Sequence, residues 1–178
     1  MSIENLKSRL RTVPDFPVKG ILFFDITTLL KDAESLKELS DRLYEMYKDK
    51  GITKVVGLES RGFLMGTDLA VRLGAGFVLA RKKGKLPADT VEETYQKEYG
   101  HDTIEIHKDA ISPDDVVLIH DDLLATGGTI AAAWRLVQKF SPAKTYINFL
   151  INITDCPRLP EFPADAEISS IIEVEEHV

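Results

Sequence analysis

Residues 116–129 read Val-Val-Leu-Ile-His-Asp-Asp-Leu-Leu-Ala-Thr-Gly-Gly-Thr, and this stretch decides the predicted fold. Its apolar start, residues 116–119, is typical of a buried strand, and a helical pattern follows its small-residue turn. A helix N-terminus offers free N–H groups and a positive dipole to a phosphate, and glycine lets the backbone approach closely. Asp121 and Asp122, placed at the strand end one short loop away, can accept hydrogen bonds from paired hydroxyls. The stretch therefore predicts a site for a sugar phosphate.

Composition indicates one globular domain over residues 1–178. Apolar residues make up 44% and charged residues 29%, and the net charge is −7, which argues against a nucleic-acid partner. The single cysteine, Cys156, fits a reducing compartment and is expected to be a loop thiol without a role. We find no apolar run long enough for a signal peptide or a membrane span, so we expect a cytoplasmic protein with no membrane partner.

Hydrophobic periodicity predicts strands that alternate with helices. The predicted helices cover residues 2–11, a stretch from Asp32 (the expected N-cap) to Gly51, residues 63–73 and residues 127–140; the predicted strands cover residues 21–24, 54–58, 77–80, 103–107, 116–119, 145–153 and 168–174. Residues 103–107 alternate like an exposed strand. Such alternation implies an α/β fold with a central, mainly parallel sheet flanked by helices, and such sheets bind ligands beyond the carboxyl ends of their strands.

Residues 81–100 differ from the rest in composition. They are polar, hold four cations in five residues and contain Pro87. We predict a long mobile loop here, and loops of this length inside compact domains are usually functional. A cationic loop can also be no more than a solvated surface.

Two other glycine patterns carry little weight. Residues 57–63 imitate the spacing of a P-loop but lack the lysine and the hydroxyl residue after the second glycine, which argues against nucleoside triphosphate hydrolysis. Gly74 and Gly76 precede a strand and lack the third glycine of a dinucleotide fingerprint.

The stretch 117–129 resembles the phosphoribosyl pyrophosphate (PRPP) signature of the type I phosphoribosyltransferases, and the chain resembles the adenine-specific branch of that family along almost its whole length. The further matching pieces, in order, are Asp15-Phe16-Pro17, Gly20-Ile21-Leu22-Phe23 with Asp25-Ile26, residues 57–63, residues 81–87, and Tyr95 with Glu98-Tyr99-Gly100. The resemblance implies that family's fold, with a small N-terminal hood over about residues 1–30 and a mobile lid over about residues 81–100.

The resemblance also implies the ligand contacts of the acid pair and of the loop after it. The residues matching the 5′-phosphate loop are Ala125, Thr126, Gly127, Gly128 and Thr129. Asp121 and Asp122 match the residues that hold the two ribose hydroxyls. The pyrophosphate would be bound by Glu59, Ser60, Arg61, Arg81, Lys82 and Lys85. A cis peptide is implied between Glu59 and Ser60, and a structural salt bridge remains the alternative for Arg61.

The base side is implied in the same way. Phe23 matches the residue that stacks on the purine, main-chain groups around Leu22 and Phe24 match those that read its edge, and Ile153 matches an aliphatic residue on the opposite ring face. Glu98 matches a lid acid that reaches toward the purine and would handle a proton. The expected catalytic set is Glu98, Arg61, Asp121 and Asp122.

The resemblance implies adenine and PRPP as substrates, AMP and diphosphate as products in purine salvage, and a homodimer. Magnesium is the expected cofactor, held through ligand oxygens and water, with Asp121 as the one candidate protein ligand. Two alternatives stay open. One is a phosphoribosyltransferase for another purine, although no lysine is placed for a 6-oxo group. The other is a non-catalytic nucleotide-sensing regulator on the same fold.

Two residues depart from the family pattern. His120 stands where an aliphatic residue is usual; it is either a partly buried histidine with a hydrogen bond nearby or a group that tunes the charge of Asp121. Asn152 stands where the family often has glutamate beside the base-side aliphatic residue, which leaves the choice of purine slightly open.

Overall fold

The computed structural model describes residues 1–97 and 100–176. Within them the helices are α1 (Ile3–Arg9), α2 (Thr27–Leu30), α3 (Ala33–Tyr47), α4 (Gly62–Leu73) and α5 (Gly128–Gln138). The strands are β1 (Arg11–Pro14), β2 (Leu22–Asp25), β3 (Lys54–Leu58), β4 (Gly76–Lys82), β5 (Thr90–Gln96), β6 (His101–His107), β7 (Val116–Leu124), β8 (Lys144–Ile153) and β9 (Glu167–Val174).

A seven-stranded sheet in the order β5-β6-β4-β3-β7-β8-β9 forms the centre of this part of the chain. The five strands from β4 to β9 across this order pair in parallel, whereas β6 pairs antiparallel with both β4 and β5. Because β3 and β7 are covered on both faces, they read as continuous apolar runs, and Val55, Val56, Leu118 and Ile119 are all fully buried. The predicted α/β fold with a mainly parallel sheet is confirmed.

The connections of the sheet place a crevice between β3 and β7. Strand β3 continues through α4 to β4 on one side, and β7 continues through α5 to β8 on the other. Since β3 and β7 are neighbours, the loops that follow them diverge from the same point, which is where open α/β sheets bind ligands.

The N-terminal region forms a separate two-stranded ribbon. Strand β1 pairs antiparallel with β2, and neither β1 nor the short α2 was predicted from the sequence. The start of α3 was predicted correctly, since Asp32 accepts a hydrogen bond from Ser35 N as its N-cap. The predicted helix over residues 2–11 ends earlier, at Arg9, because β1 begins at Arg11. The boundary of the hood at about residue 30 stays a prediction.

The lid region is more regular than predicted. Residues 90–96 form β5, which pairs with β6 along its length, so the prediction of a long loop without a strand over residues 81–100 was wrong for this part. The alternation of half-buried Val91, Glu93 and Tyr95 with exposed neighbours is the strand signal that the polar composition hides. Strand β6 is also less exposed than predicted, because Ile104 and Ile106 are buried in the core next to α5.

No helix among the described residues combines the length and the apolar character that a membrane crossing needs.

Candidate active site

A cavity of about 860 Å³ opens at the carboxyl end of β7. Its wall includes Asp121 and Asp122 from β7, residues 125–129 after it, and Arg61 from the loop after β3. The structure thus brings together the acid pair, the glycine turn and one predicted cation around one space.

Residues 125–129, called the glycine loop from here on, are shaped by glycine. Gly127 has a φ of +87°, which L-residues with side chains rarely adopt, and a Cβ on it would lie 2.5 Å from Phe162 Cδ2. Gly127 is the N-cap of α5 and no side chain caps this helix end. The first N–H groups of α5 therefore remain available to an anion in the cavity.

The acid pair lies inside β7 rather than in a loop after it, because β7 extends to Leu124. The predicted strand end at Ile119 was therefore wrong, and pairing of Asp121 with Phe149 on β8 explains the extension. Asp122 N donates a 2.8 Å hydrogen bond to Asp121 Oδ1, which keeps the two side chains together. Both are held by regular backbone structure, so their positions are fixed before a ligand arrives.

The surroundings of the acid pair disfavour the charged form of Asp121. Burial raises the pKa of Asp121 well above its usual range, and the adjacent Asp122 carboxylate raises it further. Asp122 is almost fully buried, and its Oδ2 lies 3.0 Å from Arg61 Nε. A cation or a hydroxyl donor that replaces solvent at Asp121 would stabilise its ionised form.

The loop between β3 and α4 carries Glu59, Ser60 and Arg61. The peptide between Glu59 and Ser60 is cis, as the family resemblance implied. Glycine at position 62 lets α4 pack tightly on β7, since a Cβ there would lie 2.7 Å from His120 O. Arg61, next to this contact, both pairs with Asp122 and lies over the Phe23 ring, with 5.5 Å between Cζ and the ring centroid. The salt bridge that was the alternative for Arg61 is therefore present, and its partner, Asp122, lines the same cavity.

Two of the other predicted cations, Arg81 and Lys82, are paired with carboxylates. Arg81 Nη2 lies 3.1 Å from Glu59 Oε1, and Lys82 Nζ lies 3.3 Å from Asp102 Oδ2. Burial raises the pKa of Glu59, but the hydrogen bonds from Lys82 N and Arg81 outweigh this and leave its pKa lowered, so Glu59 is a firm anionic partner. Arg81, Lys82 and Lys85 do not line the 860 Å³ cavity. The structure does not bring these three cations to the acid pair.

Phe23 lines a second, smaller cavity of about 340 Å³ together with Arg61 and Phe16. Arg61 is the residue common to both cavities. Leu22 and Phe24 line a different depression, and Ile153 is buried in the core with 3% of its surface exposed. The four residues predicted for the purine therefore do not share one cavity in this structure, although main-chain contacts at Leu22 and Phe24 need no side chain there.

Sequence reasoning missed several residues around the main cavity. These are Tyr95, Gln96 and Lys97 at the end of β5, Phe149 on β8, and Leu159, Pro160 and Glu161 in the segment before β9. Only Tyr95 carried a signal, as part of the family match. Lys97 brings a cation to the cavity and pairs with Asp102 at 2.7 Å. Glu98, the predicted lid acid, lies outside the described residues.

The two departures from the family pattern are both explained by contacts. His120 is fully rather than partly buried, and its Nδ1 lies 2.9 Å from Asn148 Oδ1. Burial lowers the pKa of His120 to about 4, so it is a neutral core histidine at physiological pH. Asn152 Oδ1 accepts a 2.5 Å hydrogen bond from Arg158 Nη2.

Comparison with known proteins identifies the family of the chain. The family model for the phosphoribosyl transferase domain matches residues 25–171. An adenine phosphoribosyltransferase of Phocaeicola vulgatus is 63% identical over 172 residues, which cover 97% of this chain and 99% of the relative. The crystal structure of adenine phosphoribosyltransferase from Rhodothermus marinus has a TM-score of 0.89 and 49% identity, over 97% of this chain and 98% of that one. The Saccharomyces cerevisiae enzyme, solved in complex with adenine and an imino-altritol bisphosphate, has a TM-score of 0.88 and 38% identity, over 96% and 98%.

Fold and site together define a type I phosphoribosyltransferase, an enzyme of the pentosyltransferase class. Within that class the chain belongs to the adenine phosphoribosyltransferase family.

Proposed function

We propose that this chain converts adenine and PRPP to AMP and diphosphate, as an enzyme of purine salvage. The observation that carries the proposal is the meeting of the uncapped α5 N-terminus, the acid pair and Arg61 around one cavity. A sugar phosphate needs an anion site next to acceptors for its hydroxyls, and a pyrophosphate leaving group needs a cation beside them. A structure related at 38% identity was solved with adenine and a bisphosphate bound, which supports both substrate classes.

The glycine loop binds the 5′-phosphate in this proposal. Backbone N–H groups of Gly127, Gly128 and Thr129 face the anion at the positive end of α5, and the hydroxyls of Thr126 and Thr129 add donors. Asp121 and Asp122 accept hydrogen bonds from the ribose 2′- and 3′-hydroxyls. These contacts position the anomeric carbon, and positioning of this kind supplies much of the rate of a displacement reaction.

The diphosphate end is formed by Glu59, Ser60 and Arg61 with Arg81, Lys82 and Lys85. The base attacks the anomeric carbon with inversion, through a state resembling an oxocarbenium ion, while pyrophosphate departs as an anion. Cations near the leaving group stabilise that charge, and a lid over residues 81–100 excludes water. Arg61 is the central residue here, because it touches both the acid pair and Phe23.

Magnesium fits this site as a cofactor held mainly by the substrate. Asp121 and Asp122 line the cavity and supply the hard oxygen donors that Mg²⁺ prefers, with Asp121 as the candidate protein ligand. Among the residues that the structure describes, no group of three or more acidic, histidine or cysteine side chains could hold a metal by itself. When bound, Mg²⁺ would neutralise part of the pyrophosphate charge.

The base side rests on Phe23 as the stacking residue, on main-chain groups at Leu22 and Phe24, and on Ile153. Glu98 is proposed, from the sequence resemblance alone, to handle the proton of the purine. Glu98→Gln should lower turnover at unchanged PRPP binding, and equal turnover in the variant would remove this role.

The assembly and location are proposals as well. Leu64 and Val71 lie on one face of α4 and leave 53% and 76% of their surfaces exposed, which supports a homodimer through this face. The single cysteine supports a cytoplasmic location. In this proposal the chain forms one domain, with an N-terminal hood over about residues 1–30.

The proposed reaction is tested by offering PRPP and Mg²⁺ with adenine, hypoxanthine, guanine or xanthine in separate reactions. AMP from adenine, without product from the other bases, is the expected result. Turnover of a 6-oxopurine at a comparable rate would favour the other purine enzymes, and PRPP binding without any turnover would favour the regulator.

A further inference from the structure

A loop that binds an anion through its N–H groups must turn its carbonyl groups the other way. Those carbonyls then need partners outside the cavity, because a buried acceptor without a hydrogen bond costs about 1–3 kcal/mol. The glycine loop meets this condition through the segment of residues 156–162, which follows β8 and which nothing in the proposed mechanism uses.

Two consecutive carbonyls of the glycine loop are bound by this segment. Arg158 Nη1 donates a hydrogen bond to Ala125 O, and Leu159 N donates one of 2.9 Å to Thr126 O. The same segment covers the two glycines, since Phe162 packs against Gly127 and Leu159 against Gly128. Every residue from 125 to 128 is therefore in contact with this segment. Arg158 and Phe162 do not line the cavity, whereas Leu159 also forms part of its wall.

Arg158 also connects the glycine loop to the base-side strand. Its Nη2 donates a 2.5 Å hydrogen bond to Asn152 Oδ1, next to Ile153 on β8, and its Nη1 also donates to Cys156 O at 3.1 Å. The guanidinium lies over the Phe162 ring at 5.8 Å from the centroid. Arginine suits this place because its planar group can donate in several fixed directions at once.

We infer that Arg158, held by Asn152, is a positioning residue for PRPP: it binds the Ala125 carbonyl and so keeps the N–H groups of the glycine loop directed at the 5′-phosphate. This inference rests on the proposed role of the glycine loop. It assigns to Asn152, one of the two departures from the family pattern, a task at the phosphate rather than in the choice of purine.

Arg158→Met tests the inference, because methionine keeps a long apolar stem beside Phe162 and removes every donor. We expect the KM for PRPP to rise at least tenfold, with the KM for adenine changed less than twofold. Arg158→Lys should recover part of the affinity for PRPP. Asn152→Ala should raise the PRPP KM by a smaller factor, and Arg158→Met combined with Asn152→Ala should be no worse than Arg158→Met alone, since both act through one contact.

Arg42→Met is the matched control for loss of a bound guanidinium. Arg42 on α3 donates to one carboxylate, Glu38, and to one main-chain carbonyl, Met1 O, and neither partner lines the cavity. The Arg42→Met variant should leave the KM for PRPP and the KM for adenine unchanged. If Arg158→Met does not fold, Arg158→Lys and Asn152→Ala decide by the same split between the two KM values.

Thr126→Val separates this inference from the function on which it rests, because it removes a donor of the glycine loop itself. A raised PRPP KM in Thr126→Val without one in the Arg158 and Asn152 variants would overturn the inference and leave the phosphate site standing. Unchanged PRPP KM values in all of them would overturn the phosphate site as well. Equal increases in the KM for adenine and for PRPP would show that Arg158 only supports the fold.

Discussion

The two ends of the proposed PRPP site are built in opposite ways. At the glycine loop the donors are main-chain N–H groups, and residues 156–162 satisfy the carbonyls behind them. At the diphosphate end the donors are long side chains, and each of Arg61, Arg81 and Lys82 is paired with a carboxylate of the protein. The first end is preorganised, whereas the second must exchange internal ion pairs for contacts with the substrate.

This difference assigns different work to the two ends. A preorganised anion site costs little reorganisation when it binds, so it suits the group that stays bound through the reaction. Cations that leave their own carboxylates can follow a group whose charge and position change, as the departing pyrophosphate does.

The largest effect is expected for Gly127→Ala. Alanine opposes the φ of +87° and places its Cβ against Phe162, so the loop must change shape and lose several N–H contacts. We expect kcat/KM for PRPP to fall by roughly 1,000-fold, the upper range for oriented donors. Gly51→Ala is the control: Gly51 has a φ of +69° but open space around it, so stability should fall slightly and steady-state kinetics should not change. Equal kinetic losses in both variants would contradict the preorganised loop.

Acid should lower the free energy of unfolding through His120, which lies on β7 beneath both ends of the site. Burial lowers the pKa of His120 to about 4, below its ordinary value of 6.5, so between these values the unfolded chain binds a proton that the folded chain does not. The contribution of His120 to stability is therefore fully present above pH 6.5 and is lost as the pH falls toward 4, by up to about 3 kcal/mol. Denaturant unfolding at several pH values measures this slope.

His120→Leu should remove that slope, because leucine does not titrate. Loss of the hydrogen bond to Asn148 would lower the stability by the same amount at every pH, so it does not affect the slope. His101→Gln, at an exposed position, should keep it. If His120→Leu unfolds with the same pH dependence as the unaltered chain, another group is responsible.

Arg61→Met should act on the diphosphate end and the acid pair together. It removes the cation beside the buried Asp122 and beside Phe23, and we expect roughly a 100-fold loss in kcat/KM, as for one oriented donor. Arg61→Lys should restore part of the activity, since it keeps the charge. A loss of less than threefold in Arg61→Met would mean that its ion pair is structural only.

The smallest effect is expected for Asp102→Asn, which frees Lys82 and Lys97 from their shared partner. Exposed ion pairs contribute about 0.2–1 kcal/mol, so the KM for PRPP should fall by about twofold to fivefold if these pairs compete with the substrate. Glu92→Gln, which removes a carboxylate from the same hairpin and affects only the Lys83 ion pair, should leave this KM unchanged. A raised KM in Asp102→Asn would mean that the pairs hold the cations in place for binding.

The two ends of the site also differ in how far the sequence could predict them. The glycine loop is local: its strand, small residues and helix are adjacent in the chain, and the pattern identified them directly. The ion pairs of Arg61, Arg81 and Lys82 join distant residues, so the sequence showed the cations without their partners. Residues 156–162 have no periodicity, and only their tertiary contacts reveal a role. Strand β5 was missed because polar composition hid its alternation.

One measurement tests the difference between the two ends most directly: crystal structures in a single crystal form without ligand and with PRPP and Mg²⁺. We predict that the backbone of residues 125–129 moves by less than about 1 Å, as in other preorganised sites. The Arg81–Glu59 and Lys82–Asp102 ion pairs, in contrast, should be broken in the complex. A glycine loop that rearranges while both ion pairs persist would contradict the account.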